Sequence, residues 1–343
     1  MSSYINRILV TGGSGFIGAN FIINQLSSTE NVILNLDKLT YASSPNSLRL
    51  VESNPNYKFI KGDISDNNLV SKIIFDFKPT YLVNFAAESH VDNSIKNPKT
   101  FIDTNVLGVF NLLFQSNKYF KQLSPVKKEK FKFIHISTDE VYGSLNKGDV
   151  SFTELNRYNP SSPYSASKAS SDHLVLSWFK TYNFPTIVTN CSNNYGPLQF
   201  PEKLVPMVIL NCLSETKIPI YGDGSNIRDW IHVNDHCDAI YRILLKGKIG
   251  EQYNIGSNNE VKNIEIVKYI CKILDSKIKR NNNLKYFDLI EYVEDRAGHD
   301  FRYSIDNTKI KEHTGWAPRI SFNEGLVNTV DWYINNQNWW KNI

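Results

Sequence analysis

The stretch Thr11-Gly12-Gly13-Ser14-Gly15-Phe16-Ile17-Gly18 constrains this chain more than any other. It joins a short apolar run, Arg7–Thr11, to a segment in which Phe16, Ile17, Phe21, Ile22 and Leu26 recur at helical spacing. It can be parsed as G-x-x-G-x-x-G from Gly12 or as G-x-G-x-x-G from Gly13. Either parse supplies a tight turn, a side-chain-free approach and helix N-terminal amides aimed at an anion. A glycine string alone marks only a turn. Here a second apolar run, Val32–Leu36, leads into Asp37, nineteen residues after Gly18. Strand, glycine turn, helix and carboxylate-tipped strand make one βαβ unit, and two parallel strands require that crossover.

The same rhythm continues through Tyr57–Ile60, Tyr81–Phe85, Phe131–Ser137 and Thr186–Asn190. Near-continuous apolar strands separated by helices imply an α/β fold: a doubly wound parallel sheet covered on both faces. After Asn190 the rhythm loosens, with Pro197, Pro201, Pro206 and Pro219 in quick succession and a turn at Gly222-Asp223-Gly224-Ser225. A strand over Arg228–Val233, a helix over Asn234–Leu245 and a strand over Gln252–Ile255 follow, then helical patterns near Ile264–Leu274 and Glu324–Ile334. We expect a dinucleotide-binding domain over residues 1–190 and a smaller α/β domain over 191–343, with some later segments returning to the first.

Composition narrows the function classes. Thirty-eight basic against 34 acidic residues leave +4, too little to argue for nucleic acid. The Lys127-Lys128-Glu129-Lys130 run is expected to be a solvated loop. Cys191, Cys212, Cys237 and Cys271 are scattered, which fits neither a metal site nor a disulfide framework and suits a reducing compartment. The N-terminus lacks the apolar core of a signal peptide, and no apolar run approaches the roughly 20 residues of a membrane span. The cytosol is the expected location.

Asp37 can accept hydrogen bonds from adenosine ribose hydroxyls and repel a 2′-phosphate, which favours NAD over NADP, although Lys38 beside it weakens that preference. Asp63 and Ile64, after the third strand, can meet the adenine edge and pack beneath its ring. Ala86 and Ala87, after the fourth, are small enough for close approach by a cofactor.

Beyond the fifth strand lie Ser137-Thr138-Asp139-Glu140, where open α/β sheets place their sites. Adjacent carboxyls can divide the work, one kept protonated as an acid and the other ionised as a base. Tyr164 and Lys168 stand four apart on a predicted helix after Pro160-Ser161-Ser162-Pro163, so a phenol and an ammonium share one face. A phenol of pKa ~10 needs about three units of lowering, or roughly 4 kcal/mol, to serve as a base near neutrality. A neighbouring ammonium and a cationic nicotinamide act in that direction. Alcohol oxidation needs no carboxyl pair, so the whole set reads as oxidation coupled to elimination.

These segments resemble the extended short-chain dehydrogenase/reductase family, and specifically its nucleotide-sugar 4,6-dehydratases. The likeness runs essentially from end to end. It is carried by Asp37-Lys38-Leu39-Thr40-Tyr41-Ala42, Ala86-Ala87-Glu88-Ser89-His90-Val91-Asp92, Ser137 to Gly143, Ser162 to Lys168, Asn190-Cys191-Ser192-Asn193-Asn194-Tyr195-Gly196-Pro197 and Asp295-Arg296-Ala297-Gly298-His299. The Thr-Asp-Glu segment is the part specific to dehydratases. The resemblance implies that Tyr164 removes the O4 proton while C4 gives its hydride to NAD, with Thr138 and Lys168 holding O4 and the phenolate. Glu140 then takes the C5 proton, Asp139 protonates the departing C6 hydroxyl, and the hydride returns to C6.

It further implies cofactor contacts from Gly12, Gly15, Phe16, Ile17, Gly18, Asp37, Lys38, Thr40, Asp63, Ile64, Ala86, Ala87, Ser89, Thr104, Tyr164, Lys168 and Asn194. Substrate contacts would come from Ser89, Thr138, Asn193, Lys203, Pro219, Tyr221, Arg228, Asn263, Arg296 and His299. Arg228 and Arg296 suit a diphosphate, because a guanidinium fork pairs two oxygens. The expected substrate is dTDP-glucose, with UDP-glucose next, in a deoxysugar pathway such as that of rhamnose. Family members pair two helices per subunit into homodimers; here those would follow Thr100 and Pro163. A C4-epimerase shares the glycine loop, Tyr and Lys but needs no elimination acid. A non-catalytic NAD sensor on the same fold would lack Thr138, Tyr164 or Lys168.

Overall fold

The computed structural model describes residues 5–280, 284–295 and 298–341. The β-branched runs form β1 (Arg7–Thr11), β2 (Val32–Asp37), β3 (Tyr57–Lys61), β4 (Tyr81–Asn84), β5 (Lys132–Thr138) and β6 (Thr186–Cys191). Later strands are β7 (Asn193–Tyr195), β8 (Ile218–Tyr221), β9 (Ile227–His232), β10 (Gln252–Ile255), β11 (Glu260–Lys262) and β12 (Ile290–Val293). Seven of them make one parallel sheet in the order β10-β6-β5-β4-β1-β2-β3. Strand order reverses beside β1, and ligands of open α/β sheets bind outside the carboxyl ends at such a switch point.

Both faces of this sheet are covered, so β4 and β6 are buried along their whole length. One face packs with Phe21, Ile22, Ile240 and Trp316, the other with Val70, Leu112, Val175 and Phe184. Phe184 meets Phe120, Phe131 and Phe133 at centroid distances of 5.6–5.9 Å. Truncating a ring in such a cluster costs roughly 3–5 kcal/mol.

β10 crosses back from the C-terminal half to pair with β6, and the helix Val233–Lys246 buries Cys237, Ile240, Ile243 and Leu244 in the same core as β1. The rest of the second half has its own core, around Val208, Ile209, Ile266, Ile270, Leu326 and Val330. It carries a three-stranded sheet (β11-β9-β7) and a two-stranded one (β12-β8).

Two segments depart from the sequence expectation. The lysine run is not a loop but the short helix Pro125–Lys130, which Pro125 can open because its missing N–H falls in the unpaired first turn. Between Pro98–Phe101 and Val109–Lys121 the helix widens into a π segment, Ile102–Gly108. Gly108 lies so close to Ile64 that a Cβ there would sit 2.7 Å from its Cδ1, so the wide turn and a bare glycine go together.

Candidate active site

The glycine turn is built for close approach. Gly12 has φ +71°, and a Cβ on it would lie 2.5 Å from the Ala86 amide nitrogen. A Cβ on Gly18 would lie 2.5 Å from the Gly12 carbonyl oxygen. Asp37 braces the turn: its Oδ2 accepts from the Ser14 amide at 2.9 Å and its Oδ1 from the Leu39 amide at 2.8 Å. Burial pushes this carboxyl above its ordinary value, and those two amides pull it back. Lys38 pairs with Asp63 at 2.6 Å, so the charge that weakened the NAD preference is balanced by a carboxylate.

One cavity runs from this turn to the end of β5. Gly12, Gly15, Phe16, Ile17, Gly18, Asp37, Lys38, Thr40, Asp63, Ile64, Ala86, Ala87, Ser89 and Thr104 line it, as do Asn193, Asn194 and Lys203. Thr104 arrives on the π segment. On the next residue, the Asn105 amide donates to the Glu88 carbonyl at 3.0 Å and to Ser167 Oγ at 2.9 Å. That staple fixes the β4 exit loop against the helix bearing Tyr164.

Thr138, Asp139, Glu140, Tyr164 and Lys168 line the same cavity. The chain leaves β5 into a 3-10 turn, Asp139–Tyr142, whose first amides are met by Thr138: its hydroxyl accepts from the Glu140 amide at 3.3 Å. The helix Pro163–Tyr182 starts with Pro163 at its first position and a reciprocal Ser162–Ser165 capping box. Tyr164 is thus set in the first turn, and Lys168 one turn deeper.

Asp139 is buried, with no hydrogen-bond donor to Oδ2 among the described residues. Burial first, then the charges of Glu140 and Asp229, push its carboxyl well above the ordinary range. Adjacent carboxyls whose environments differ in this way can divide acid and base work between them. Burial also holds the Tyr164 phenol well above its usual value; Glu140 adds to this, and the Thr138 hydroxyl opposes it. Spacing predicts the ammonium beside the phenol; in the structure Lys168 Nζ donates to the Ile136 carbonyl at 2.7 Å. The ammonium is thus tied to the end of β5, one helical turn from the phenol.

Pro219, Tyr221, Arg228, Asn263 and His299, also predicted to meet the substrate, lie outside this cavity lining. Pro219 and Tyr221 are the exposed positions of β8. The Tyr221 ring lies 6.3 Å from that of His299, whose Nδ1 is 2.6 Å from Asp295 Oδ1. Asn263 opens the helix Asn263–Lys277, and its amide donates to the Asn226 carbonyl at 2.9 Å. Arg228, on β9, donates to the carbonyls of Ile227 at 2.8 Å and Asp300 at 2.9 Å and stacks 4.2 Å over Tyr303. Arg296 lies outside the described residues. Asp300 links the two groups, since it accepts from Ser161, just ahead of the helix bearing Tyr164, and from the Tyr303 hydroxyl.

The sequence reading omits several residues of the cavity wall: Glu88, Cys191, Gln199, Phe200 and Glu202. Phe200 meets Tyr41 edge-on at 5.7 Å, joining the loop after β2 to the loop before the helix Leu204–Leu213. Phe200-Pro201 resembles any loop punctuation, and only the closeness of Glu202 to Lys203 could have marked it.

A family model described as GDP-mannose 4,6 dehydratase matches residues 9–329. A dTDP-glucose 4,6-dehydratase of Escherichia coli is 50% identical over 347 residues, covering 98% of this chain and 96% of its own. The crystal structure of dTDP-glucose 4,6-dehydratase from Bacillus anthracis str. Ames, in complex with NAD, matches with a TM-score of 0.86 at 46% identity, over 98% of this chain and 99% of that one. The Streptomyces venezuelae enzyme of the same name, with NAD and TYD bound, gives 0.88 at 40% identity and the same coverage of 98% and 99%. Matches of this breadth show the family: the chain belongs to the nucleotide-sugar 4,6-dehydratases.

Proposed function

We propose that this protein is a dTDP-glucose 4,6-dehydratase, converting dTDP-glucose to its 4-keto-6-deoxy derivative and water. The observation that carries this reading is the buried Asp139 beside Glu140 in the cavity that also contains Tyr164 and the glycine turn. The relatives named above favour the thymine nucleotide over UDP-glucose.

NAD fits the cradle, because Gly12 and Gly18 leave no room for side chains and Asp37 stands at the end of β2. Gly12, Gly15, Phe16, Ile17 and Gly18 would hold its pyrophosphate, Asp37, Lys38 and Thr40 the ribose, and Asp63 and Ile64 the adenine. Ala86, Ala87, Ser89, Thr104 and Asn194 would line the path to the nicotinamide. When bound, NAD supplies the acceptor that takes a hydride from C4 and gives it back at C6.

The chain's own residues move the protons. Tyr164 takes the proton of O4, which Thr138 also hydrogen-bonds; Lys168 is the chain's own cation favouring the phenolate. Oxidation must come first, since a C5 proton becomes acidic only beside a C4 ketone. Glu140 then removes that proton and Asp139 delivers its own to the leaving C6 hydroxyl. Asn193, Lys203, Pro219, Tyr221, Arg228, Asn263, Arg296 and His299 take the nucleotide diphosphate and sugar.

Apolar side chains exposed along Ile102–Lys121 and Pro163–Tyr182 support a homodimer: Phe110 stacks on Phe114 at 5.9 Å and meets Trp178 at 5.9 Å, with Leu107 and Tyr182 about half exposed beside them. The four buried thiols suit the reducing cytoplasm, and the product suits a pathway to rhamnose or another deoxysugar. Separate incubations with dTDP-glucose, UDP-glucose and GDP-mannose, followed by the rate of keto-sugar appearance, test the assignment. We expect dTDP-glucose to be fastest; a faster rate with either rival would replace the assigned nucleotide.

A further inference from the structure

Lys168 and Asp172 sit one turn apart on Pro163–Tyr182, and both are buried, at 3% and 0% exposure. Two charges in such a place are costly unless each is held. Asp172 Oδ2 is held from three directions: by Ser137 Oγ of β5 at 2.8 Å, the Tyr158 hydroxyl at 2.9 Å and Asn190 Nδ2 of β6 at 3.2 Å. Asn190 Nδ2 also donates to the Thr138 carbonyl at 3.2 Å. The carboxylate is therefore fastened to the strand end that carries Thr138, Asp139 and Glu140.

Its other oxygen, Oδ1, has no hydrogen-bond partner among the described residues and faces His135 Nε2 at 3.5 Å. That nitrogen is 3.4 Å from Lys168 Nζ. Thr11 donates to Asn84 Oδ1 at 2.5 Å, leaving the Asn84 amide to donate to His135 Nδ1 at 3.0 Å. His135 Nε2, which also lies 3.2 Å from Ser171 Oγ, thus stands between the Asp172 carboxylate and the Lys168 amine one helical turn away.

Other titratable groups around Lys168 contribute little negative charge. His135, on β5, is held neutral by burial and by Lys168 itself. On β6, burial pushes the Cys191 thiol up to about 12. Burial pushes up the Tyr164 phenol on the same helix and the Asp139 carboxyl beyond β5, and Glu140 pushes both in the same direction.

We propose that Asp172 is a positioning residue of the dehydratase reaction, the buried negative charge that keeps Lys168 an ammonium while fastening β5 and β6 to the catalytic helix. This rests on Lys168 serving the reaction as set out above. Burial pulls Lys168 down to about 8, with Asp172 the strongest opposing influence. Burial raises Asp172 to about 6, with Lys168 the strongest influence against it. The pair is ionised between those values, so turnover falls below about 6 as Asp172 gains a proton and above about 8 as Lys168 loses one. Removing the carboxylate lowers Lys168 further and moves the alkaline limb to lower pH.

The test is the pH profile of kcat with dTDP-glucose for the NAD-loaded enzyme, for Asp172→Asn and for Tyr158→Phe, which removes one donor and keeps the charge. Asp172→Asn should move the alkaline limb down by about one unit, with bound NAD and KM unchanged, while Tyr158→Phe leaves the limb in place. A loss of thermal stability with the limb unmoved would show a merely structural residue and overturn the proposal. Should Asp172→Asn fail to fold, 15N-lysine NMR of the unsubstituted enzyme decides, with the Nζ signal assigned by its loss in Lys168→Arg. An ammonium at neutral pH sustains the proposal and a neutral amine overturns it. No turnover by the unsubstituted enzyme would sink the dehydratase reading instead, which keeps the two failures apart.

Discussion

The end of β5 and the region around β8 and β9 handle polar side chains in opposite ways. At β5, the three consecutive candidate residues Thr138, Asp139 and Glu140 leave one strand, and the helix they face is fixed by a capping box and by Asn105, so one rigid sheet edge sets every distance. Around β9, Arg228 reaches the Asp300 carbonyl, 72 residues away along the chain, and His299 is paired with Asp295. The first region is organised by the sheet. In the second, Arg228 and His299 already hold protein partners, so ligand binding must compete with those contacts. Chemistry should therefore concentrate in the first region and affinity in the second.

The largest effect should come from Tyr164→Phe, which removes the proposed O4 base: we expect kcat to fall by about 10³–10⁴-fold, with bound NAD unchanged, as read by single-turnover absorbance. Glu140→Gln should cut 6-deoxy product formation by about 10²–10³-fold yet still oxidise C4, so a keto-sugar that keeps its oxygen would accumulate in the mass spectrum. Equal effects on both half-reactions would dissolve the division of labour at β5. Arg228→Lys, in the other region, should raise KM by about tenfold while leaving kcat within about threefold. A collapse of kcat there would mean that the two regions are not separable. Least of all, Ser162→Ala should remove one half of the capping box and cost about 1 kcal/mol, a drop of about 2 °C in Tm, with KM unchanged in steady-state assays.

The parts legible in the sequence were those set by neighbours. β1 to β6 follow from period and turn chemistry, and their observed ends differ from the expected ones by a residue or so, as at Thr138 and Cys191. Asp37 and the glycine turn are legible for the same reason. β7 and β11 are three residues each and carry too little pattern to read. The π segment depends on Gly108 meeting Ile64, a contact across 44 residues that no local window contains. In the site, Tyr164 and Lys168 are visible as a pair, whereas Asp172 is not, because a charge on a helix reads as a solvated face until burial shows otherwise. Arg228, Asn263 and His299 were reached through resemblance alone, since nothing local distinguishes them from surface residues.

What matters is that oxidation at C4 and elimination across C5–C6 happen on one hexose without release. dTDP-glucose carrying deuterium at C4 tests this directly when the product is read by mass spectrometry and NMR. The account predicts a product one water lighter, with the deuterium now at C6. A product of unchanged mass, or one that has lost its deuterium to solvent, would contradict it.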